Sequence, residues 1–289
     1  MPEVSAKTFI TMSTVRIEST KFDGSISVGT GFFYGCEKVE NRYVSLIITN
    51  KHVISNSNEV RLLFTVAKVE NDIVVSKRIE TLRVFGEQLA NLVKVHPDQY
   101  VDLCAITIGV FHAHYQSQGE SILRAEVNKN TLGDQKFLDS LESGEDVMMV
   151  GYPTGLYDVA NNRPLVRKGI TATNPGTDFN GLKHFAIDCA CFPGSSGSPI
   201  FLFNEGMYFE GESNLVMGKS RVKLIGVLYA GPQYDVHGEM VTLPIPTETS
   251  KIPTLRQMIN IGFCVSSTQI EWFEELAKSL LENEKPIPL

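Results

Sequence analysis

The sequence predicts an all-β protein, and three observations carry that reading. Short runs rich in Val, Ile, Phe, Tyr and Thr recur at close spacing between turns of Gly, Pro, Asn and Asp. Helical periodicity is scarce before residue 267. The chain has 289 residues, 43% of them hydrophobic and 20% charged, which is enough to fill one large or two smaller cores. No fixed-period repeat is visible, so the strand pattern points to a barrel or a sandwich.

The elements follow in order. Residues 29–35 are β-prone and bracketed by glycines, and 44–49 form a second apolar strand that runs into Asn50-Lys51-His52-Val53-Ile54. Further strands are expected at 60–66, 73–75, 81–85 and 102–108, the last entered through the turn-rich 96–100. From 111 to 143 the strand pattern lapses into a polar connection, and a domain boundary is placed there. Strands resume at 146–151, 166–173, 183–188, 199–203, 223–230 and 262–266, with 204–221 as a hairpin or loop insertion. Near the end, Ile270, Phe273, Leu276, Ala277, Leu280 and Leu281 fall at helical spacing behind a Ser or Thr cap, and Pro286 and Pro288 stop the helix.

Composition narrows the partners. A net charge of −7 lacks the basic face that a general nucleic-acid or anionic-membrane partner requires. The first residues carry no basic segment leading into an apolar core, so no secretory signal is expected, and no apolar run reaches the length of a membrane span. The five cysteines, Cys36, Cys104, Cys189, Cys191 and Cys264, sit in apolar segments. That usage suits buried thiols in a reducing compartment, and the expected location is cytoplasmic.

The stretch from Asp188 to Pro199 holds the chemistry. It joins an apolar run to Pro193-Gly194-Ser195-Ser196-Gly197-Ser198 and returns at once into apolar residues. A serine on so tight a turn presents its hydroxyl outward while nearby backbone N–H groups converge, which supplies a nucleophile and donors for an oxyanion. Gly, Ser and Pro are also ordinary turn residues, and such a run by itself is more often a plain loop than a catalytic site. An activated serine needs a base, and the base needs a carboxylate; His52, Asp102 and Ser196 are the candidates in chain order. A Gly-x-Ser-x-Gly elbow is absent, because Ser198 stands two residues after Ser196.

The chain resembles the trypsin-like serine peptidases, closest in pattern to their Deg/HtrA-type branch. The matching segments are Gly29-Thr30-Gly31-Phe32, Leu46-Ile47-Ile48-Thr49-Asn50-Lys51-His52-Val53, Val101-Asp102-Leu103-Cys104-Ala105-Ile106, Gly151-Tyr152-Pro153, Lys168-Gly169-Ile170, the serine turn, Ile225-Gly226-Val227 and Ile261-Gly262-Phe263-Cys264-Val265. The resemblance implies two six-stranded antiparallel β-barrels with the site in the cleft between them, and a C-terminal α-helix. The expected division is an N-terminal barrel at 1–115, a connection at 116–143, a C-terminal barrel at 144–266, and a helix and tail at 267–289. By the same resemblance Ser196 attacks the carbonyl, His52 is general base and then acid, Asp102 orients His52, and the backbone N–H groups of Gly194 and Ser196 form the oxyanion hole.

Departures from the family pattern limit what carries over. Ser198 replaces a usual glycine, so that loop is expected to differ slightly in shape. Ser195 replaces the aspartate of zymogen-activated relatives, so activation by N-terminal cleavage is not expected. No room is expected after the helix for the PDZ module of many Deg/HtrA-type proteins. The position that sets basic specificity is Ala190, and Asp188 matches an aspartate that the branch carries without that specificity. With Tyr229, Ala230 and Gly231 along one wall, the pocket is expected to take a small or apolar P1 residue.

No metal or other cofactor is expected: His112 and His114 form a short pair without a Cys or acidic partner at the usual spacing. Cys189 and Cys191 are expected to face opposite sides of a strand. His96, His184 and His237 are read as structural. Two functional classes follow: an endopeptidase acting on protein or peptide substrates, open to a regulatory protein partner, or a non-catalytic binding or sensor module on the same fold.

Overall fold

Apolar alternation along the first strands builds the N-terminal half. The computed structural model describes residues 5–36, 44–71, 73–210, 214–237 and 254–283. A short helix, α1 (Ala6–Met12), leads into β1 (Thr14–Lys21), β2 (Ile26–Gly35) and β3 (Ser45–Thr49). After α2 (Lys51–Ile54) come β4 (Ser57–Glu70) and β5 (Ile73–Phe85), then α3 (Gly86–Leu92), β6 (Val93–Val95) and β7 (Cys104–Thr107). These strands form one antiparallel sheet in the order β5-β4-β1-β2-β3-β7-β6, with β8 (Glu120–Ile122) paired to β4. Between β7 and β8 lies α4 (Gly109–Ser117), and α5 (Gln135–Leu138) follows β8.

The C-terminal half contains β9 (Asp146–Gly151), β10 (Leu165–Thr171), β11 (His184–Asp188) and β12 (Pro199–Asn204). A hairpin of β13 (Met207–Glu210) and β14 (Asn214–Met217) precedes β15 (Arg221–Ala230). A second hairpin, β16 (Gln233–His237) with β17 (Thr254–Met258), precedes β18 (Ile261–Ser266), and a 3-10 turn leads into α6 (Glu271–Asn283). Six of these strands close into a barrel, β10-β11-β18-β15-β12-β9.

The expectation of two closed barrels is therefore met once. In the N-terminal half the hydrogen-bonded path stops at β5 and β6, because α3 breaks the chain between them. The strands expected at 60–66, 73–75 and 81–85 are instead two long strands: β4 and β5 pair from Glu59 opposite Phe85 to Glu70 opposite Ile73. Polar residues that read as breaks between runs, such as Lys77, Arg78 and Glu80, lie on exposed or partly exposed positions of β5 and keep the ladder.

Three cores hold the molecule. One lies inside the N-terminal sheet around Ile17, Ile47, Leu62 and Ile106. Another fills the closed barrel around Phe185, Ile187, Ile200 and Ile225. The third joins the halves, packing Phe32, Tyr34 and Ile48 against Val150, Phe201 and Val227. The C-terminal helix closes that seam: Ile270, Phe273 and Ala277 are buried in it, as the helical spacing predicts. Cys189 and Cys191 enter the same barrel core, which corrects the reading that sets them on opposite faces; residues two apart share a face. Among the described residues no helix is long and apolar enough to cross a membrane.

Candidate active site

His52 sits on α2, a single helical turn directly after β3, rather than at a strand end. Asn50 precedes this turn as its N-cap, but its side chain makes no capping hydrogen bond. Its amide Nδ2 donates instead to the carbonyl of Asp102 at 2.8 Å, so the residue that starts the turn also holds the opposing loop. Asp102 lies between Val101 and Leu103, whose side chains are buried; alternation then turns the carboxylate outward, toward His52. Its Oδ2 lies 2.5 Å from His52 Nδ1, and its Oδ1 accepts the backbone N–H of His52 at 3.2 Å. Both oxygens of one carboxylate thus engage one histidine.

Ser196 is positioned by its turn. Ser195 N–H donates to Phe192 O at 3.0 Å and Ser198 N–H to Ser195 O at 3.0 Å. Gly197 N–H donates to Leu228 O at 2.8 Å, and Leu228 N–H returns a bond to Ser198 O at 3.0 Å, which fastens the turn to β15. Two glycines adopt the left-handed region, Gly194 at φ +88° and Gly197 at φ +84°. Gly197 is held for a second reason: a Cβ there would stand 1.9 Å from Thr30 O, inside any contact distance.

Thr30 connects the serine turn to the histidine. Its N–H donates to Ser196 O at 2.8 Å and its hydroxyl to Gly194 O at 3.1 Å. Its own carbonyl accepts Thr49 Oγ1 at 2.7 Å, three residues before His52. The structure thus joins His52 directly to Asp102, and ties the Ser196 backbone to the His52 segment through Thr30 and Thr49. Among the described residues no hydrogen bond runs from Ser196 Oγ to His52. The His52 side chain is 48% exposed, so the face away from Asp102 is open.

Across the turn, Pro193 O accepts the N–H of Thr154 at 2.5 Å. The trans peptide then aims the Gly194 N–H the opposite way. Neither that N–H nor the N–H of Ser196 has an acceptor among the described residues. Ser195 is buried, and its Oγ accepts the Phe192 N–H at 3.4 Å, closing the turn from inside. Ser198 fits because Gly151 faces it: a Cβ on Gly151 would lie 2.1 Å from Ser198 Oγ. The departure from the family pattern is absorbed by a neighbouring strand.

The residues expected to line a pocket lie around this turn. Asp188 is exposed at the end of β11, opposite Ile261 of β18, and Ala190 is half-buried. Tyr229 lies against His184, ring centroids 4.8 Å apart and its hydroxyl 3.2 Å from Nδ1. Burial lowers the pKa of His184 and raises that of Tyr229, which favours the neutral forms of both. Ala230 stands opposite Phe263, and Gly231 follows it half-buried. Arg167 on β10 donates to Ala190 O and stacks its guanidinium 4.9 Å over the Phe192 ring.

Sequence reasoning missed Asn50, Thr30 and Arg167 as members of this cluster. Asn50 and Thr30 both lie inside the quoted family segments, yet their roles depend on which backbone atoms come opposite them. Arg167 carries no local signal, because its proximity to Ala190 follows from barrel closure. Among the described residues no three His, Cys, Asp or Glu side chains converge as a metal set.

The model of the trypsin-like peptidase domain matches residues 29–207, more than half of the chain. Similar solved structures include an HtrA-type protease AlgW variant with tripeptide, at 17% identity and a TM-score of 0.49, covering 97% of this chain and 64% of that one. The Rv3671c protease from M. tuberculosis, active form, is 14% identical with a TM-score of 0.47, covering 96% and 85%. AlgW with tripeptide gives 17% identity and a TM-score of 0.47, covering 96% and 61%. The chain therefore spans somewhat under two thirds of the AlgW chains that it matches. No match to a curated protein was found.

Proposed function

Since the chain belongs to the trypsin-like peptidase family, we propose that it is a serine endopeptidase using Ser196, His52 and Asp102. The observation that carries the reading is the 2.5 Å contact of Asp102 Oδ2 with His52 Nδ1. A carboxylate at Nδ1 keeps the proton on that nitrogen and leaves Nε2 as the acceptor, which is the tautomer a general base requires. Ser196 Oγ then attacks the peptide carbonyl as its proton passes to Nε2, and Asp102 stabilises the imidazolium that forms. The same proton goes to the leaving amine; water, deprotonated by His52, releases the acyl group.

Charge develops on the carbonyl oxygen as the tetrahedral intermediate forms. The backbone N–H groups of Gly194 and Ser196 are the donors assigned to it, supported by their freedom from other acceptors among the described residues. One such donor is worth on the order of 10²–10³ in turnover.

Asp188, Ala190, Tyr229, Ala230 and Gly231 are assigned to substrate binding. Ala190 brings no charge and only a methyl group to the pocket, and Ala230 and Gly231 are equally short. A small or apolar P1 residue fits such walls. Protein or peptide chains are the substrates of this reading. A cytoplasmic location belongs to it too, supported by five free cysteines that are all buried.

A fluorophosphonate probe tests the assignment. The wild-type protein should label, and Ser196→Ala should lose the label while keeping its fold. A folded wild type that never labels, under any condition tried, would instead favour the non-catalytic module.

A further inference from the structure

On β10 the neighbouring cations Arg167 and Lys168 point opposite ways. Lys168 faces out and pairs with Asp146. Arg167 stands opposite Met149 of β9, and directly opposed cross-strand residues share a face; Met149 is buried in the barrel core, so Arg167 turns inward. Its guanidinium reaches the barrel mouth, where Nη1 donates to Ala190 O and the plane lies 4.9 Å over the Phe192 ring.

That charge is uncompensated. Arg16, Arg124 and Arg221 are also largely buried, and each is in ion-pair contact with a glutamate. Arg167 has no carboxylate within reach among the described residues; the ionisable groups that act on it are the thiols of Cys189 and Cys191. Burial raises the pKa of both, that of Cys191 to about 12, so the thiols stay protonated and supply no countercharge. Holding a half-buried cation without a counterion costs free energy that an incoming anion would recover. Phe192 is 42% exposed, which leaves the guanidinium accessible from outside.

We propose that Arg167 selects substrates with an aspartate or glutamate directly after the cleaved bond, an assignment that rests on the peptidase reading. The side follows from the topology. The residues assigned to the P1 pocket on β15 stand across the mouth from Arg167, because β15 and β10 are three strands apart in either direction around the closed barrel. The serine turn spans the interval: Phe192 at its start lies under Arg167, and Gly197 at its end is bonded to Leu228 of β15. A peptide whose acyl side follows β15 therefore brings its leaving side toward Arg167. There the guanidinium keeps N–H donors that no described residue accepts, and a carboxylate takes such donors in parallel pairs.

Fluorescence anisotropy on the full chain carrying Ser196→Ala tests this without requiring turnover. The probes are a fluorescein-tagged peptide Val-Leu-Ala-Glu-Glu-Gly and its counterpart Val-Leu-Ala-Gln-Gln-Gly. The acidic peptide should bind about 10-fold more tightly, the worth of one charge-assisted contact, and adding Arg167→Gln should abolish the difference while leaving the far-UV circular dichroism unchanged. Arg167→Lys keeps the charge without the paired donors and should retain part of the preference. In a wild-type digest of a mixed peptide library, acidic residues should be enriched directly after the cut. Equal affinity for the two peptides, a preference that survives Arg167→Gln, or a digest without that enrichment overturns the inference even where the wild type labels with the fluorophosphonate. A wild type that never labels, with an acidic preference that depends on Arg167, supports the carboxylate contact and overturns the peptidase reading alone.

Discussion

In the C-terminal half each of six strands has a hydrogen-bonded neighbour on both sides, whereas in the N-terminal half the path stops at β5 and β6. The serine turn belongs to the first region, tied by Gly197 and Ser198 to β15 and by Ser196 O to Thr30. His52 and Asp102 belong to the second, on a short helix and a loop joined mainly by side chains, Asn50 to Asp102 O and Asp102 to His52. The contrast is physical. The closed barrel fixes a turn with two left-handed glycines because many backbone bonds converge on it; an open sheet leaves its loops to be fixed by a few polar contacts.

The predictions probe that difference, beginning with the polar contacts of the open half. Asp102→Asn should lower kcat by about 10⁴ with little change in stability, because His52 would lose the partner that fixes its tautomer. Steady-state kinetics beside urea melts separate the two effects, and near-wild-type turnover would remove Asp102 from the mechanism. Next is the closed half. Gly197→Ala should destabilise the protein by about 2–4 kcal/mol, from φ strain and from the clash with Thr30 O. A urea midpoint indistinguishable from wild type would show that the turn is less constrained than its bonds imply.

His184 sits where the halves meet, and its effect should be smaller. Burial lowers its pKa below the usual 6.5, so near pH 7.5 it is neutral whether folded or unfolded. As pH falls below 6.5 the unfolded chain binds a proton that the folded chain resists, and stability is lost until the lowered folded value is passed. His184→Gln should therefore flatten the fall in thermal midpoint as the pH drops below 6.5. Burial also lowers the pKa values of His96 and His112, and these two preserve the rest of the slope. An unaltered slope in the variant would count against a buried, neutral His184. The smallest effect is expected at the tip of the open half: Ile79→Lys should change stability by no more than about 0.5 kcal/mol, since the side chain already faces solvent.

How much of this was legible in the sequence differs by residue. The glycines around the serine are local features, written in residue type and spacing, whereas His52, Asp102 and Ser196 are singled out together through the resemblance to the peptidase family. The C-terminal helix is local as well: its Phe273 and Ala277 lie where a 3.6-residue period puts them. The long hairpin of β4 and β5 was read as three short strands, because Lys77, Arg78 and Glu80 resemble a break when the solvent-facing side of an extended ladder cannot be seen. Thr30 and Asn50 were in view as letters only, since their partners lie 166 and 52 positions away.

What the sequence by itself determined was therefore the alternation of strand and turn, the β class, and the residue types able to perform acyl transfer. Side-chain period and turn chemistry act within a few residues, and one chain records them completely. Only the tertiary structure decided that one half closes and the other stays open, that Gly151 makes room for Ser198, and that Asp102 reaches His52 with both oxygens. Those outcomes depend on which distant backbone groups find each other as hydrogen-bond partners, and no local pattern encodes that choice.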